Sequence, residues 1–240
     1  MIRYPIYKII LGLILICLPQ GCYEMPQSIP IGKWSYRLLV NNVEMGSALI
    51  SNSIVEGNYI STSELKFSTG NITNTNKQII TETKEFKPVK LQTHNKTLTG
   101  DNVYETITVS VFNDRNVDVK ITTGKEKTTN NAKITLGKDS ILDGNFFLSK
   151  LIEGKFKSGL EIEANIYDPS IELEEPIITK VKVIGLKNIE VDGKDERLIH
   201  ISQSIENIKS IDFFIDSAGI MRKGVIEMLN IRIELIRNIQ

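Results

Sequence analysis

The side chains that could do chemistry in this chain are few and far apart. Histidine occurs twice, at His94 and His200. His200 alternates with Leu198, which favours a packed strand residue, and His94 stands in a polar Thr-His-Asn segment, which favours an exposed position. HExxH, CxxC, GxSxG, Walker A and GxGxxG motifs are absent. Zinc proteolysis, thiol redox, α/β-hydrolase and nucleotide chemistry therefore lack their usual parts, and we predict no catalytic, cofactor or metal residue.

Clustered carboxylates offer another route to catalysis. Glu172, Glu174 and Glu175 precede Pro176, and paired carboxylates can do acid–base work on polymers such as glycans. A charge run beside a proline is also typical of a solvated loop. We favour the loop and keep a carboxylate-dependent enzyme acting on envelope polymers as the alternative.

The run Asp114-x-Asn116-x-Asp118 has the spacing of the first calcium-loop ligands. Val119 occupies the position of the required glycine, and Lys125 that of the bidentate acid. We therefore interpret the run as a turn that enters a strand.

Cys22 could carry covalent chemistry of a different kind, acylation at an export signal. The first residues are basic, through Arg3 and Lys8, and the run 9–18 is apolar. This run has the length of a signal-peptide core and falls short of the ~20 residues that a membrane-spanning helix needs. Gly21 fits the position before a lipidated cysteine, although the residues before it depart from the usual lipobox.

We therefore predict a lipoprotein signal peptide at 1–21, a lipid on Cys22 and a tether over 22–32. The mature protein would lie in the cell envelope, anchored on the periplasmic or surface face of the outer membrane. Cys17 would leave with the signal, so the remaining chain could form no internal disulfide. Two alternatives stay open, an ordinary secretory signal cut near Gly21 and an uncleaved N-terminal anchor.

Charge narrows the range of partners. Without residues 1–21 the chain carries 27 basic and 29 acidic side chains. Nucleic-acid binding needs a basic footprint, which this balance does not supply, so we predict no nucleic-acid partner. Nor is there a polybasic segment that would hold the protein on anionic lipid.

The rest of the chain, 33–240, predicts a single β-rich domain. Trp34, Tyr36, Leu38 and Val40 alternate with other residues, and we expect them to share a buried face. Asn41-Asn42 is typical of a two-residue hairpin turn. Strands are predicted at roughly 34–40, 43–50, 59–67, 77–86, 89–98, 102–112, 115–123, 131–136, 160–167, 177–191, 197–205, 208–215 and 219–236.

Two strands have clear faces, and two segments interrupt the β pattern. Val103, Ile107, Val109 and Val111 share one face of their strand, as do Val117, Val119 and Ile121 in the next. The polar stretch 68–77 predicts an exposed loop. Residues 145–153 predict one short helix, with Asp143 or Asn145 as its cap and Gly154 at its end. We expect Phe147, Leu151 and Ile152 to plug one end of a curved sheet.

Five segments follow one another along the β-rich part of the chain. They are VEMG at 43–46, EFKPV at 85–89, YDP at 167–169, VKVIGLKNIEVDG at 181–193 and DFFIDSAG at 212–219. Their order resembles that of a broad group of bacterial envelope proteins of unknown function, in which similar regions stand alone or precede transglutaminase-like domains. The resemblance implies a β-rich periplasmic domain, a curved antiparallel sheet or an incomplete barrel or sandwich, and it carries over no active site.

We predict a non-enzymatic envelope lipoprotein that binds a lipid or acyl chain, or an envelope protein. The alternatives are the carboxylate enzyme described above and a surface adhesin or antigen, for which the Asn/Thr-rich stretch 68–77 is the support. An apolar cavity without convergent carboxylates would favour binding, and two acids ~5–9 Å apart in a cleft would favour an enzyme.

Overall fold

The computed structural model describes residues 24–124, 126–169, 172–206, 208–228 and 230–238. These residues form fourteen strands and one helix. The elements are β1 Gly32–Val40, β2 Val43–Val55, β3 Asn58–Thr69, β4 Ile72–Glu82, β5 Pro88–Thr99, β6 Asn102–Asn113, β7 Asn116–Thr123, β8 Thr128–Thr135, α1 Phe146–Glu153, β9 Glu161–Ile166, β10 Ile177–Val191, β11 Lys194–Ile205, β12 Ile208–Ile215, β13 Met221–Met228 and β14 Ile231–Arg237.

All fourteen strands belong to one antiparallel sheet. Each strand pairs with its neighbour along the chain, except that β8 and β9 do not pair. Instead β1 pairs with β14 in the middle of the sheet, and β8 and β9 form its two edges. The predicted fold class is therefore confirmed as mainly β, with an antiparallel sheet that does not close into a barrel and one short helix.

Turn residues set the register of two hairpins in the sheet. Asn41 and Asn42 both have positive φ, 48° and 67°, and join β1 to β2. Asp192 and Gly193 repeat this geometry, with φ of 51° and 73°, between β10 and β11. Two consecutive residues of positive φ match the twist of the flanking strands, which is why Asn, Asp and Gly occupy them.

Gly46 lies at a close approach between strands. A Cβ at this position would stand 2.0 Å from the Lys66 carbonyl oxygen. The register of β1 with β2 also shifts beside it, between Leu38 and Leu39. Both features agree with the expectation for a glycine inside a strand.

The prediction of an exposed loop over 68–77 is wrong. β3 continues through Thr69, Gly70 and Asn71 form a tight turn, and β4 begins at Ile72. Its polar side chains bond across strands, as in Ser68 Oγ to Thr73 Oγ1 at 2.9 Å and Thr97 Oγ1 to Asn74 Oδ1 at 2.8 Å. Polar composition indicated a loop, but cross-strand hydrogen bonds stabilise these residues in a strand.

The prediction of one long strand over 219–236 is also wrong. β13 ends at Met228 and β14 begins at Ile231, so the segment is a hairpin. Asn41 Nδ2 donates to the Asn230 carbonyl oxygen, and the Arg232 N–H donates to Asn41 Oδ1 at 2.8 Å. The turn is thus fixed by a neighbouring turn, which alternation within the segment does not indicate.

The inner face of the sheet is the face that bears Trp34, Tyr36 and α1. On β9 to β12 this face is apolar, and Phe147 and Leu151 of α1 pack against it. The sheet residues of this core are Ile166, Val181, Val183, Ile199, Ile201 and Ile215. The helix therefore packs on the inner face of β9 to β12 through Phe147 and Leu151, with Ile152 beside them, and that it plugs one end of the sheet stays a prediction.

The inner face of β3 to β6 is largely polar. The register places serine, threonine, asparagine and glutamine side chains there, at Ser61, Ser63, Asn76, Gln78, Thr93, Asn95, Thr106, Thr108 and Ser110. In β6 the valine face points outward, since Val111 is 47% exposed whereas Ser110 is fully buried. In β7 the expected face is the inner one, with Val117 and Val119 buried.

The connection from β8 to β9 crosses the gap between the two edges. Ile141 forms a parallel bridge with Ile166 of β9, and the Leu136 N–H donates to the Arg115 carbonyl oxygen. Leu142 is fully buried in a cluster with Ile80 and Leu91 on the inner face of the N-terminal half. The connection thus contacts both halves before α1 begins.

Candidate binding cavity

A cavity of about 350 Å³ lies between α1 and the inner face of the sheet. Its wall is mainly apolar, and it includes Trp34 of β1, which is half-buried although the sequence placed it on a buried face. The apolar wall comprises Pro30, Trp34, Tyr36, Ile50, Phe147, Leu148, Leu151, Val181, Ile201, Phe213, Ile215, Ile220, Met221 and Leu235. The volume and lining match a small-molecule pocket, which typically encloses about 300–1,000 Å³.

Asp143 and Gln203 are polar exceptions in this wall. Asp143 is exposed by surface area and lines the cavity, and protein atoms crowd its carboxyl group. Burial raises the pKa of Asp143 to about 6, the nearby Asp168 carboxylate raises it too, and the Gln203 amide lowers it. Gln203 is 6% exposed, and its Nε2 completes no hydrogen bond of normal length. The Gln203 amide therefore lies close enough to stabilise the Asp143 carboxylate, but the contact falls short of a complete hydrogen bond.

Glu82 fixes the segment that enters α1. The Asn145 N–H donates to Glu82 Oε2 at 3.0 Å, and Asn145 Nδ2 donates to Ser61 Oγ at 2.7 Å. A Cβ at Gly144 would stand 2.4 Å from Glu82 Oε2, so a larger residue there would push the Glu82 carboxyl group aside. Asn145 precedes the helix, as predicted, but its side chain makes no cap hydrogen bond because it reaches Ser61 instead.

Glu82 is itself a fully buried acid with an unpartnered oxygen, Oε1. Burial raises the pKa of Glu82 to about 7, the Asn145 N–H lowers it, and the Asp143 carboxylate raises it. Three carboxyl groups, those of Glu82, Asp143 and Asp168, thus interact beside the cavity. In the described ranges no three His, Cys, Asp or Glu side chains converge closely enough to hold a metal ion.

The two histidines lie away from the cavity. His200 pairs with Asp212 at 2.8 Å and stacks on Phe214 with ring centroids 4.6 Å apart. His94 is half-buried and contacts Glu105, with 2.6 Å between Nε2 and Oε1. Neither side chain lines the cavity.

The acidic run before Pro176, which the sequence offered as a possible catalytic cluster, also lies away from the cavity. Glu172, Glu174 and Glu175 are exposed in the loop between β9 and β10, and the Glu174 N–H donates to Glu172 Oε1. Asp114 lies in the β6–β7 turn with a φ of 56°, and Asn116 opens β7, as the turn interpretation predicted. Cys22 lies outside the described residues, and so does its predicted lipid.

Sequence reasoning missed the residues that do converge. Asp143 entered only as a helix cap, and Glu82 and Gln203 read as ordinary strand residues. The one available signal was an acid directly before Gly144-Asn145, at the only break in the β pattern long enough for a helix. Nothing in the local sequence of Glu82 or Gln203 distinguishes it from a solvated strand position.

The structure defines a β-barrel-like protein with an open sheet and an internal helix. A solved structure shares this architecture, a β-barrel-like protein of a domain of unknown function, DUF1849, from Brucella abortus. The TM-score is 0.62 at 13% identity, over 88% of this chain and 98% of that one. At this identity the likeness shows the fold alone, which agrees with a β-rich domain of unknown function.

No protein-family model matches the chain, and no curated protein does either. Among the described residues, no helix is long and apolar enough to cross a membrane. The suggested kinship with regions that precede transglutaminase-like domains, and the envelope location, stay predictions.

Proposed function

We propose that this protein is a lipid-anchored envelope protein that binds an amphipathic molecule with one apolar chain. The observation that carries the proposal is the cavity beneath α1, whose apolar wall meets a small polar region at Asp143 and Gln203. Apolar walls with a few polar groups that fix orientation are typical of small-molecule sites. An acyl chain would lie along Trp34, Ile50 and Leu151, with its polar end at Asp143.

The position of α1 supports the proposal. Phe147, Leu148 and Leu151 line the cavity on the helix side, while Ile201 and Phe213 line it on the sheet side. A ligand would therefore replace water against apolar surface on both sides, at about 25 cal/mol per Å² of apolar area buried. The Asn145 N–H donates to Glu82 Oε2, which ties the start of α1 to β4 in the N-terminal half. The sheet thus forms one wall of the cavity, and the tethered helix forms the other.

The ligand proposal is tested by filling the cavity. Ile50 is half-buried in the wall, so Ile50→Trp places a large ring inside it. Leu49→Trp is the matched control, because the same ring then lies on the outer face of the same strand. In titrations with the neutral fluorescent probe N-phenyl-1-naphthylamine, wild type and Leu49→Trp should bind, and Ile50→Trp should lose at least about tenfold in affinity.

Equal affinities in all three proteins would place the probe outside this cavity and refute the assignment. If no protein binds the probe or any C12 amphiphile up to its solubility limit, the ligand proposal fails. Docking to an envelope protein is then the surviving form of the binding hypothesis.

The anchor rests on Cys22 and the signal-like residues before it. Mass spectrometry of the protein from its native host should find the mature N-terminus at Cys22 with acyl chains attached. Cys22→Ser should release the protein from membranes. A mature N-terminus elsewhere, or an unmodified Cys22, would contradict the lipoprotein assignment.

A further inference from the structure

The charge around the cavity indicates which head group a ligand can carry. Asp143 lines the cavity, and the carboxyl groups of Glu82 and Asp168 lie close enough to raise the pKa values of the acids beside them. Among the described residues that form the wall, none is lysine, arginine or histidine. Above about pH 7, where Asp143 and Glu82 are both ionised, the polar part of the cavity is therefore an environment of negative potential.

The nearby features that could attract an anion already face acidic side chains. The N-terminal end of α1 is faced by Glu82, which accepts the Asn145 N–H. Arg222 and Arg237 lie near Tyr36, but neither lines the cavity. Each arginine is paired with an acid, Arg222 with Glu196 and Arg237 with Asp216.

Gln203 supplies a second sign of a polar ligand, beside Asp143. Its side chain is nine-tenths buried and lines the cavity, and its donor nitrogen, although close to the Asp143 carboxyl group, completes no hydrogen bond. An unused buried donor is costly unless a ligand or water satisfies it. Its amide and the Asp143 carboxylate together offer one donor and several acceptors to a head group.

We propose that the cavity selects an amphiphile whose head group carries no negative charge and donates hydrogen bonds, an alkylammonium or a hydroxyl-bearing neutral ester rather than a fatty-acid carboxylate. The inference rests on the proposed function and names the ligand class for the same site. The head group donates a hydrogen bond to the Asp143 carboxylate. If it also has an acceptor, that acceptor receives a hydrogen bond from the Gln203 amide. A carboxylate head group meets like charge at Asp143 in a partly desolvated site, where repulsion is much stronger than in water.

Competition at equal chain length tests this selectivity. Dodecylammonium, 1-monododecanoylglycerol and dodecanoate each displace N-phenyl-1-naphthylamine from the full-length chain carrying Cys22→Ser, which has no lipid of its own to compete. The titrations are run at about pH 8, where Asp143 is ionised. We expect dodecylammonium and the ester to bind at least about tenfold more tightly than dodecanoate.

Asp143→Asn removes the charge and keeps the shape. The substitution should lower the affinity for dodecylammonium at least about tenfold and raise the affinity for dodecanoate by a similar factor. The affinity for the ester should change by less than about threefold. Asp139→Asn is the matched control, since the Asp139 side chain is 96% exposed, and it should leave all three affinities unchanged.

The outcomes separate this inference from the proposal beneath it. Tighter binding of dodecanoate than of the other two by wild type overturns the inference, while binding of an amphiphile in the cavity stands. If wild type shows the expected ranking of the three ligands but Asp143→Asn leaves their affinities unchanged, the role of Asp143 is overturned. Displacement by none of the three, from a protein that also fails to bind the probe, overturns the proposed function and the inference with it.

Discussion

The two halves of the sheet are built by the same antiparallel pairing but turn opposite kinds of side chain inward. On β3 to β6 the inner face carries groups such as Gln78 and Thr93, whereas on β9 to β12 it carries groups such as Val183 and Ile201. The apolar half packs on α1 and forms the largest core cluster of the described residues. The polar half depends more on ladder and side-chain hydrogen bonds, with apolar packing near Leu142 and Tyr167.

The difference shows that strand pairing and core formation are separable. Backbone ladders satisfy the same donors and acceptors in both halves, so both stay in one sheet. Exclusion of water depends on the inner side chains, and the C-terminal half carries the apolar surface on which Phe147 and Leu151 of α1 pack. The cavity lies between α1 and the inner face of β1, β2 and β10 to β14.

The largest effect is expected when two phenylalanines, one from each half of the sheet, are replaced by alanine. Phe147→Ala removes a ring that is 7% exposed from the C-terminal core, and we expect a loss of about 3–5 kcal/mol in the free energy of unfolding. Phe67→Ala removes the same ring from a half-buried position on the inner face of β3 and should cost less than half as much. Urea denaturation measures both changes, and equal losses would show that the halves are equally packed.

Glu82 joins the halves and gives a pH test. Because its pKa is raised to about 7 from the usual 4.5, the folded chain holds a proton between these values that the unfolded chain has lost. Its stabilising contribution is full below pH 4.5 and is lost as the pH rises through about 7. Glu82→Gln stays neutral and keeps an acceptor for the Asn145 N–H.

From about pH 5 to about pH 8, the unfolding free energy of Glu82→Gln should therefore rise relative to wild type by roughly 2–3 kcal/mol. Chemical denaturation at both pH values measures this difference. Glu64→Gln is the control, since Glu64 pairs across from Leu49 on the outer face of β3. A difference that is independent of pH would contradict the buried, protonated state of Glu82.

Two valines test which face of the N-terminal half is inside. Val119→Thr buries a hydroxyl at a position that is 2% exposed, and it should cost about 1–3 kcal/mol. Val111→Thr makes the same change at a position that is 47% exposed, and it should alter stability by less than about 0.5 kcal/mol. In thermal unfolding, Val119→Thr should lose more stability than Val111→Thr. The reverse order would show that the Val111 face is the buried one.

The smallest effect is expected at Thr93, and it has the opposite sign. The Thr93 hydroxyl is buried without a hydrogen-bond partner, so Thr93→Val should raise the unfolding free energy by about 1 kcal/mol. Thr108→Val, at the half-buried position directly across the ladder, should change it by less than about 0.5 kcal/mol. Destabilisation by Thr93→Val would show that water or a ligand uses this hydroxyl.

Local chemistry predicted much of the fold. Turns at Asn41-Asn42 and Asp192-Gly193 need positive φ, and few residues supply it cheaply, so these boundaries could be read from the sequence. The helix could be predicted because Phe147 and Leu151 recur at helical spacing between two possible boundary residues. These features depend on a few neighbouring residues.

The rest depends on which surfaces meet. Alternation in β6 separates Ser110 from Val111 but does not say which of them lies inside, and the buried one is the serine. The candidate site joins Glu82, Asp143 and Gln203 from three distant parts of the chain, and only the crossing of the β8–β9 connection brings them together. No spacing within the sequence encodes that crossing.

The pairing of β1 with β14 has a consequence for the order of events during synthesis. Leu38 of β1 lies across from Leu235 of β14. One edge of β1 pairs with β2, but the other edge stays unpaired until β14 is available. Neighbouring hairpins can form as the chain grows, because their contacts are local, whereas this ladder closes a loop of nearly the whole domain. A ribosome or export channel that still holds β14 keeps the second edge of β1 open, and an open edge is a template for aggregation. Folding of this sheet is therefore completed in its middle, once β14 has emerged.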